Sequence, residues 1–192
     1  YLLIRQTLEV LLILATAPIT LPITLIIGII VAFDSGFPIF YLQLRPGKNG
    51  ELFKIVKFRT MKQLQEEMNK LTDDNDPRIT RIGKFLRRHR LDELPQLWNV
   101  LKGEMSLIGP RPEAQFTSVV FSKEIPGWDK RLAIRPGVTG WQQVHQGHVN
   151  STEETKVRLE YDLHYIDNIS IWLDIRIVFR TFVTMFRGHN SR

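Results

Sequence analysis

At 192 residues the chain has room for one catalytic domain and too little for two. Without a cysteine it has no structural disulfide, no thiolate metal site and no thiol nucleophile. Its net charge of +6 and pI of about 9.7 point to an anionic partner: nucleic acid, a phosphorylated small molecule or an acidic membrane surface.

From Val10 to Phe33 there is no charge, and Leu, Ile, Val and Ala dominate. Crossing a bilayer core takes roughly 20 apolar residues, so this helix is long enough to enter one. Its length, and the lack of a small-residue cleavage site after it, argue against a cleaved signal peptide. The lack of a polar face argues against a buried core helix. Pro22 lies mid-run with Pro18 a turn earlier, and proline deletes a backbone donor, so a bend is expected there. Arg5 precedes the run, and Arg45, Lys48, Lys54, Lys57 and Arg59 follow it. Cations on both sides fit a segment whose two ends stay cytoplasmic; a kinked transmembrane helix is the alternative.

The stretch from about 35 to 150 reads as a mixed domain. Pro38–Leu44 and Leu52–Phe58 are β-rich runs joined by Gly47-Lys48-Asn49-Gly50, a hairpin signal. A polar helix is expected over Lys62–Leu71, broken by Thr72–Pro77. Thr80 can cap a basic helix reaching about His89, and another helix runs from about Asp92 to Leu101, ended by Gly103. Met105–Ile108 and Val138–Val144 read as short buried strands or extended segments, each beside a Pro/Gly turn. Ser151-Thr152-Glu153-Glu154 is a capping box for a helix to about His164. The last helix, Ile171–Arg187, sets Arg176, Arg180 and Arg187 within about 40° of one another on the helical wheel. Trp172, Phe179, Phe182 and Phe186 flank that stripe, which suits a membrane interface; a core helix with an Arg edge is the alternative.

The densest chemistry lies between Asp76-Pro77-Arg78 and Arg111-Pro112. At its centre, Asp92 and Glu93 follow Arg87-Arg88-His89-Arg90 and open a helix, with Pro95 in the first turn. Nearby cations and a helix start favour ionised carboxylates. An oriented carboxylate can attack phosphorus or hold a divalent cation; equally, it can serve only as a helix-start partner. Prolines on both sides make Arg111 a rigid phosphate grip, Lys57-Phe58-Arg59 adds two cations, and Arg135-Pro136-Gly137 repeats the device. The five histidines show no ligand spacing with the carboxylates, and no Walker or Gly-x-Gly-x-x-Gly loop is present.

The segment DPRITRIGKFLRRHRLDELPQLWNVLKGEMSLIGPRPE resembles the signature of bacterial sugar transferases, the monotopic polyprenyl-phosphate phosphoglycosyl transferases. The likeness extends upstream to RPGKNGELFKIVKFRTM, then downstream through IRPGVTGWQQVHQG to LEYDLHYIDNISIWLDIRIVFRTF. It implies an α+β fold: a membrane-embedded re-entrant helix over 1–34 and a small catalytic domain with a short hairpin over 35–192. C-terminal amphipathic interfacial helices, with 171–187 the last, complete it. Larger relatives carry further membrane helices, so the chain is expected to be a small-class enzyme or an excised core.

The resemblance implies a ping-pong reaction at the cytoplasmic face of the bacterial inner membrane. Asp92 attacks the β-phosphate of a UDP-sugar and releases UMP, and undecaprenyl phosphate then takes the phosphosugar. Glu93 completes an Asp92–Glu93 dyad that works with magnesium. Arg87 and Arg111 fall at phosphate contacts, with Lys57 and Arg59 as further cations, and Arg135, Pro136, Gly137, Trp141 and Gln143 in the nucleotide region. The family breaks its re-entrant helix at a Ser-Pro pair; here Leu21 precedes Pro22, leaving Thr20 or Thr24 to supply a hydroxyl. Arg90 replaces the Ser or Thr of many relatives. The expected partners are a UDP-sugar, undecaprenyl phosphate and membrane lipids, with homo-oligomerisation left open.

Three other readings compete. A lipid-binding scaffold would use only the basic face, and a pyrophosphatase-like membrane hydrolase would use the same carboxylates without transfer. A nucleic-acid binder is suggested by pI alone, and the long apolar run and the separation of aromatics from the basic cluster argue against it.

Overall fold

The computed structural model describes residues 1–62, 76–146 and 151–187, with the side chains of residues 185–187 excepted. The polar helix expected from Lys62 lies outside them beyond its first residue. The leading element is α1, Leu2–Ser35, an uninterrupted helix that contains both Pro18 and Pro22. At 1.5 Å per residue such a helix is about 51 Å long. It starts earlier than the uncharged run because Arg5 and Glu9 pair at 3.4 Å and are held by the rest of the protein.

A stripe runs along α1 that the apolar sequence hid. Ile13, Thr16, Ala17, Thr20, Thr24, Ile27, Gly28 and Val31 recur at three- and four-residue steps and are buried or half-buried. The hydroxyls of Thr16, Thr20 and Thr24 turn back onto the carbonyls of Leu12, Thr16 and Thr20, so the stripe carries its polar groups satisfied. Neither Thr20 nor Thr24 therefore bonds the Pro18 carbonyl that Pro22 leaves without an amide. On the other side Leu14, Ile19, Leu21, Leu25, Ile26, Ile29 and Phe33 are exposed.

The hairpin forms as expected, with its first strand shifted by two residues: β1 (Phe40–Pro46) pairs antiparallel with β2 (Leu52–Phe58). Asn49 and Gly50 both take positive φ in the turn, the conformation for which Asn-Gly is suited. Thr80 caps α2 (Arg81–Arg88), accepting from the Gly83 amide at 2.8 Å. Gly83 is required because a Cβ there would lie 2.2 Å from the Thr60 carbonyl oxygen. The helix expected over Asp92–Leu101 splits into a 3-10 segment, Leu91–Gln96, and a short α3, Leu97–Leu101. Pro95 inside the 3-10 segment has no amide to continue an α-helical ladder.

Ser106–Ile108 (β3) and Gly137–Thr139 (β4) form a two-stranded parallel sheet, and the remainder of the expected Val138–Val144 strand coils into a 3-10 turn at Gln142–Val144. Between them come α4 (Gln115–Glu124) and a 3-10 turn at Trp128–Ala133. The capping box opens α5 (Thr152–Asp167), with Ser151 and Glu154 bonding each other's amides, and α6 spans Ile171–Arg187.

Two apolar clusters join α1 to one body. Ile13 packs with Phe53, Ile55, Val100 and Met105, while Ile27 and Val31 pack with Phe58 and Leu86. Arg5 adds a polar joint, donating to Tyr165, Asp174, Ser106 and the Ile108 carbonyl and so tying α1 to β3, α5 and α6.

Candidate functional site

The site is assembled where β2 meets the 3-10 segment. Asn99 in α3 sits fully buried, accepts from the Val56 amide at 3.1 Å and donates to the Lys54 carbonyl at 2.8 Å. Its amide thus stands in for a neighbouring strand and pins α3 beside β2. That attachment presents Glu93 to Lys57, whose Nζ donates to Glu93 Oε1 at 2.8 Å. Arg111 Nη2 donates to the same oxygen, also at 2.8 Å.

Asp92 and Glu93, both nearly buried, are treated differently by their surroundings. Burial alone would push the Glu93 carboxyl up, but Arg111 and Lys57 hold it well below the usual range. Burial pushes Asp92 up, Glu93 adds to that, and Lys57, Arg111 and Arg87 only partly oppose it. Among the described residues no donor hydrogen-bonds the Asp92 carboxylate. One carboxylate is held by two cations; the other is left with free oxygens in the same basic pocket.

Arg111 is fixed through its own backbone. Arg131 Nη2 donates to the Arg111 carbonyl at 2.8 Å, and Arg45 Nη1 donates to the next carbonyl, Pro112. Arg131 is itself buried, paired with Asp162 at 2.6 Å and stacked over the Trp128 ring at 4.3 Å. Glu113, one residue beyond the turn, pairs with Arg158. On the other side Gly137 donates to the Pro110 carbonyl and Gly109 to the Thr139 carbonyl, both at 2.9 Å. A Cβ on Gly137 would lie 2.1 Å from the Gly109 amide nitrogen, so Gly137 is needed for backbone contact between β4 and the Arg111 turn.

The residues singled out in the sequence thus separate. Asp92, Glu93, Lys57 and Arg111 converge, and Arg87 lies near enough to act on Asp92 while its Nε donates to Thr60 at 2.8 Å. Arg59 does not join them. Its guanidinium is committed to the Ser35, Gly36 and Phe37 carbonyls, because the end of α1 leaves carbonyls without helical partners. The Arg135 side chain lies beside Gly103, and the Pro136 carbonyl accepts from the Ser106 amide at 2.9 Å. Gln143 is buried, with its carbonyl facing Arg90 at 3.4 Å. Trp141 packs against His145 with ring centroids 3.9 Å apart and planes tilted by 51°, and Arg180 of α6 lies over the Trp141 ring at 5.8 Å. Asn99, Arg131 and Arg45 carry no site signal in the sequence; each acts through long-range contacts that no local pattern announces.

The pocket therefore offers four cations (Lys57, Arg87, Arg90 and Arg111) around two carboxylates, a balance suited to an entering phosphate. The description "Bacterial sugar transferase" belongs to the family model that matches residues 1–188. The chain belongs to the bacterial sugar transferase family. It is 41% identical over 193 residues to a UDP-N-acetylgalactosamine-undecaprenyl-phosphate N-acetylgalactosaminephosphotransferase of Aeromonas hydrophila, covering all of this chain and 46% of that one. It is 41% identical over 170 residues to a UDP-glucose:undecaprenyl-phosphate glucose-1-phosphate transferase of Escherichia coli, covering 87% and 36%. It is also 39% identical over 170 residues to the exopolysaccharide production protein PSS of Rhizobium leguminosarum, covering 85% of each. The chain spans less than half the length of the first two relatives.

Proposed function

We propose that this sugar transferase moves a sugar 1-phosphate from a UDP-sugar to undecaprenyl phosphate through a covalent intermediate on Asp92. The observation that carries the reading is the unequal dyad: Glu93 clamped by Lys57 and Arg111, and beside it Asp92, whose carboxylate takes no hydrogen bond among the described residues. The relatives' named activities supply the substrate classes.

In the first step an Asp92 carboxylate oxygen attacks the β-phosphorus, and the bond from that phosphorus to the bridging oxygen breaks. UMP leaves with the bridging oxygen, and the phosphosugar remains as an acyl phosphate on Asp92. In the second step an oxygen of undecaprenyl phosphate attacks the same phosphorus. The acyl-phosphate bond breaks, a polyprenyl diphosphate sugar forms and Asp92 returns as carboxylate. Arg111 and Lys57 keep Glu93 ionised and bring positive charge to the phosphates, so two anions can approach each other. With two adjacent carboxylates at the site, the residues fit magnesium, which commonly takes one or two carboxylates and completes its shell with substrate phosphate and water. Bound by Asp92 and Glu93, the ion would offset diphosphate charge and stabilise departing UMP. Lipid-extractable label from UDP-[14C]glucose or UDP-[14C]N-acetylgalactosamine, dependent on undecaprenyl phosphate and magnesium, tests the reading. Label released only as free sugar phosphate would favour a hydrolase.

The same proposal places the active site at the cytoplasmic face of the inner membrane, with α1 re-entrant. Support comes from α1 itself: Arg5 and Glu9 near one end bond to β3, and Ile27 and Val31 near the other pack on the same body. A helix spanning the bilayer would separate those ends. The exposed apolar face of α1 and exposed Trp172 and Phe179 beside Arg176 and Arg180 on α6 suit immersion at the interface. Because the chain has no cysteine, single cysteines report topology cleanly. Leu3→Cys and Phe37→Cys, at positions 82% and 80% exposed, are expected to react with an impermeant maleimide from the cytoplasmic side alone. Labelling of the two from opposite sides would establish a spanning helix.

A further inference from the structure

Arg90 opens the 3-10 segment in the left-handed region, φ 55° and ψ 21°, where a side chain other than glycine is strained. Glycine would hold the turn at lower cost, so the backbone itself does not call for arginine. The side chain folds inward. Nη2 reaches the Gln143 carbonyl at 3.4 Å, and Nη1 is buried with no hydrogen-bond partner among the described residues. A buried guanidinium N–H without an acceptor is unfavourable, because the water it gave up is not replaced.

Glu93, Asp92 and Arg111 are charges that act on Arg90, which sets it against the dyad. Its neighbours are engaged: Lys57 and Arg111 on Glu93, and Arg87 Nε on Thr60. We infer that Arg90 is a phosphate ligand, donating from Nη1 to a non-bridging oxygen of a bound substrate beside Asp92. The inference rests on the transferase reading above. Two sources carry that chemistry, the diphosphate of the nucleotide-sugar and the monophosphate head of undecaprenyl phosphate.

The test uses Asp92→Asn protein in lipid nanodiscs, so that nothing turns over. Affinities for UDP with magnesium, and separately for undecaprenyl phosphate, are measured with Arg90 intact and with Arg90→Lys, Arg90→Gln and Arg90→Gly. Loss of a charged hydrogen bond should weaken binding about tenfold or more in the Gln and Gly forms, with partial recovery in Lys. Arg90→Gly should melt no lower than the parent, because it relieves the left-handed strain. Weakening confined to UDP assigns Arg90 to the donor diphosphate; weakening confined to undecaprenyl phosphate assigns it to the acceptor. Unchanged affinity for both in folded Arg90→Gln overturns the inference. So does weakening matched by an equal loss of melting temperature in the Gln and Gly forms, which would make Arg90 structural. Failure of the Arg90-intact protein to bind either probe overturns the transferase reading as well, which separates the two failures.

Discussion

Asp92→Asn is expected to lower sugar-phosphate transfer by on the order of 10⁴-fold, while leaving the fold and the Glu93 contacts in place. Asparagine matches aspartate in size, and Asp92 makes no hydrogen bond among the described residues that the change would break. What is lost is an ionised oxygen able to bond to phosphorus. Glu93→Gln should lose activity by a different route. It leaves Lys57 and Arg111 facing a neutral amide, and burial already disfavours the charge on Lys57. A drop of about 10²- to 10³-fold, with reduced stability, is the expected result. Initial rates of lipid-linked product, with melting temperatures alongside, separate the two variants. A scaffold that merely held anionic lipid would tolerate Asp92→Asn.

The largest expected stability effect lies behind the active-site turn. Arg131→Met leaves the Asp162 carboxylate, 2% exposed, without the cation 2.6 Å from it. Breaking a buried pair from one side costs about 3–5 kcal/mol, a large part of a typical domain's stability. Asp162 can limit the loss by taking up a proton, since burial already pushes its carboxyl up against the pull of Arg131. Adding Asp162→Leu to Arg131→Met should restore most of the stability, because an apolar pair of similar volume often replaces a buried ion pair at little cost. Activity should stay low in the double variant, since the Arg111 carbonyl has still lost its donor. Denaturant titrations with transfer assays on the same preparations check both statements. Full activity in a stable double variant would show that the Arg131 clamp does not position Arg111.

Local chemistry made parts of the fold legible. The Asn49-Gly50 turn, the Thr80 cap and the Ser151–Glu154 capping box each depend on residues within four positions of one another. The buried roles of Arg5 and Glu9 are not legible locally, because the two look like the polar flank of a membrane segment. Only β3, Tyr165 and Asp174, about 100 to 170 residues away in sequence, give them buried partners. The segment carrying α4 and the Trp128–Ala133 turn drew no expectation, because its apolar residues follow no single period.

In the site, Asp92, Glu93, Arg111 and Lys57 stand out from their charge, proline and strand-end context, and the family resemblance adds roles for Asp92, Glu93, Arg87 and Arg111. Arg59, two residues further along, carries the same charge and serves a helix end instead. Charge and position in the chain do not distinguish these two. The difference is that Lys57 lies within β2 while Arg59 lies just past its end at Phe58, where the carbonyls of Ser35–Phe37 are within reach.

The central claim is a phosphosugar held covalently on Asp92, and rapid-quench measurement of UMP release without any polyprenyl phosphate tests it most directly. With UDP-sugar and magnesium, the account predicts a burst approaching one UMP per active site and an intact-protein mass increased by one phosphosugar, both absent in Asp92→Asn. UMP appearing only when undecaprenyl phosphate is added, with no adduct at any time, would mean direct displacement between the two substrates and would contradict it.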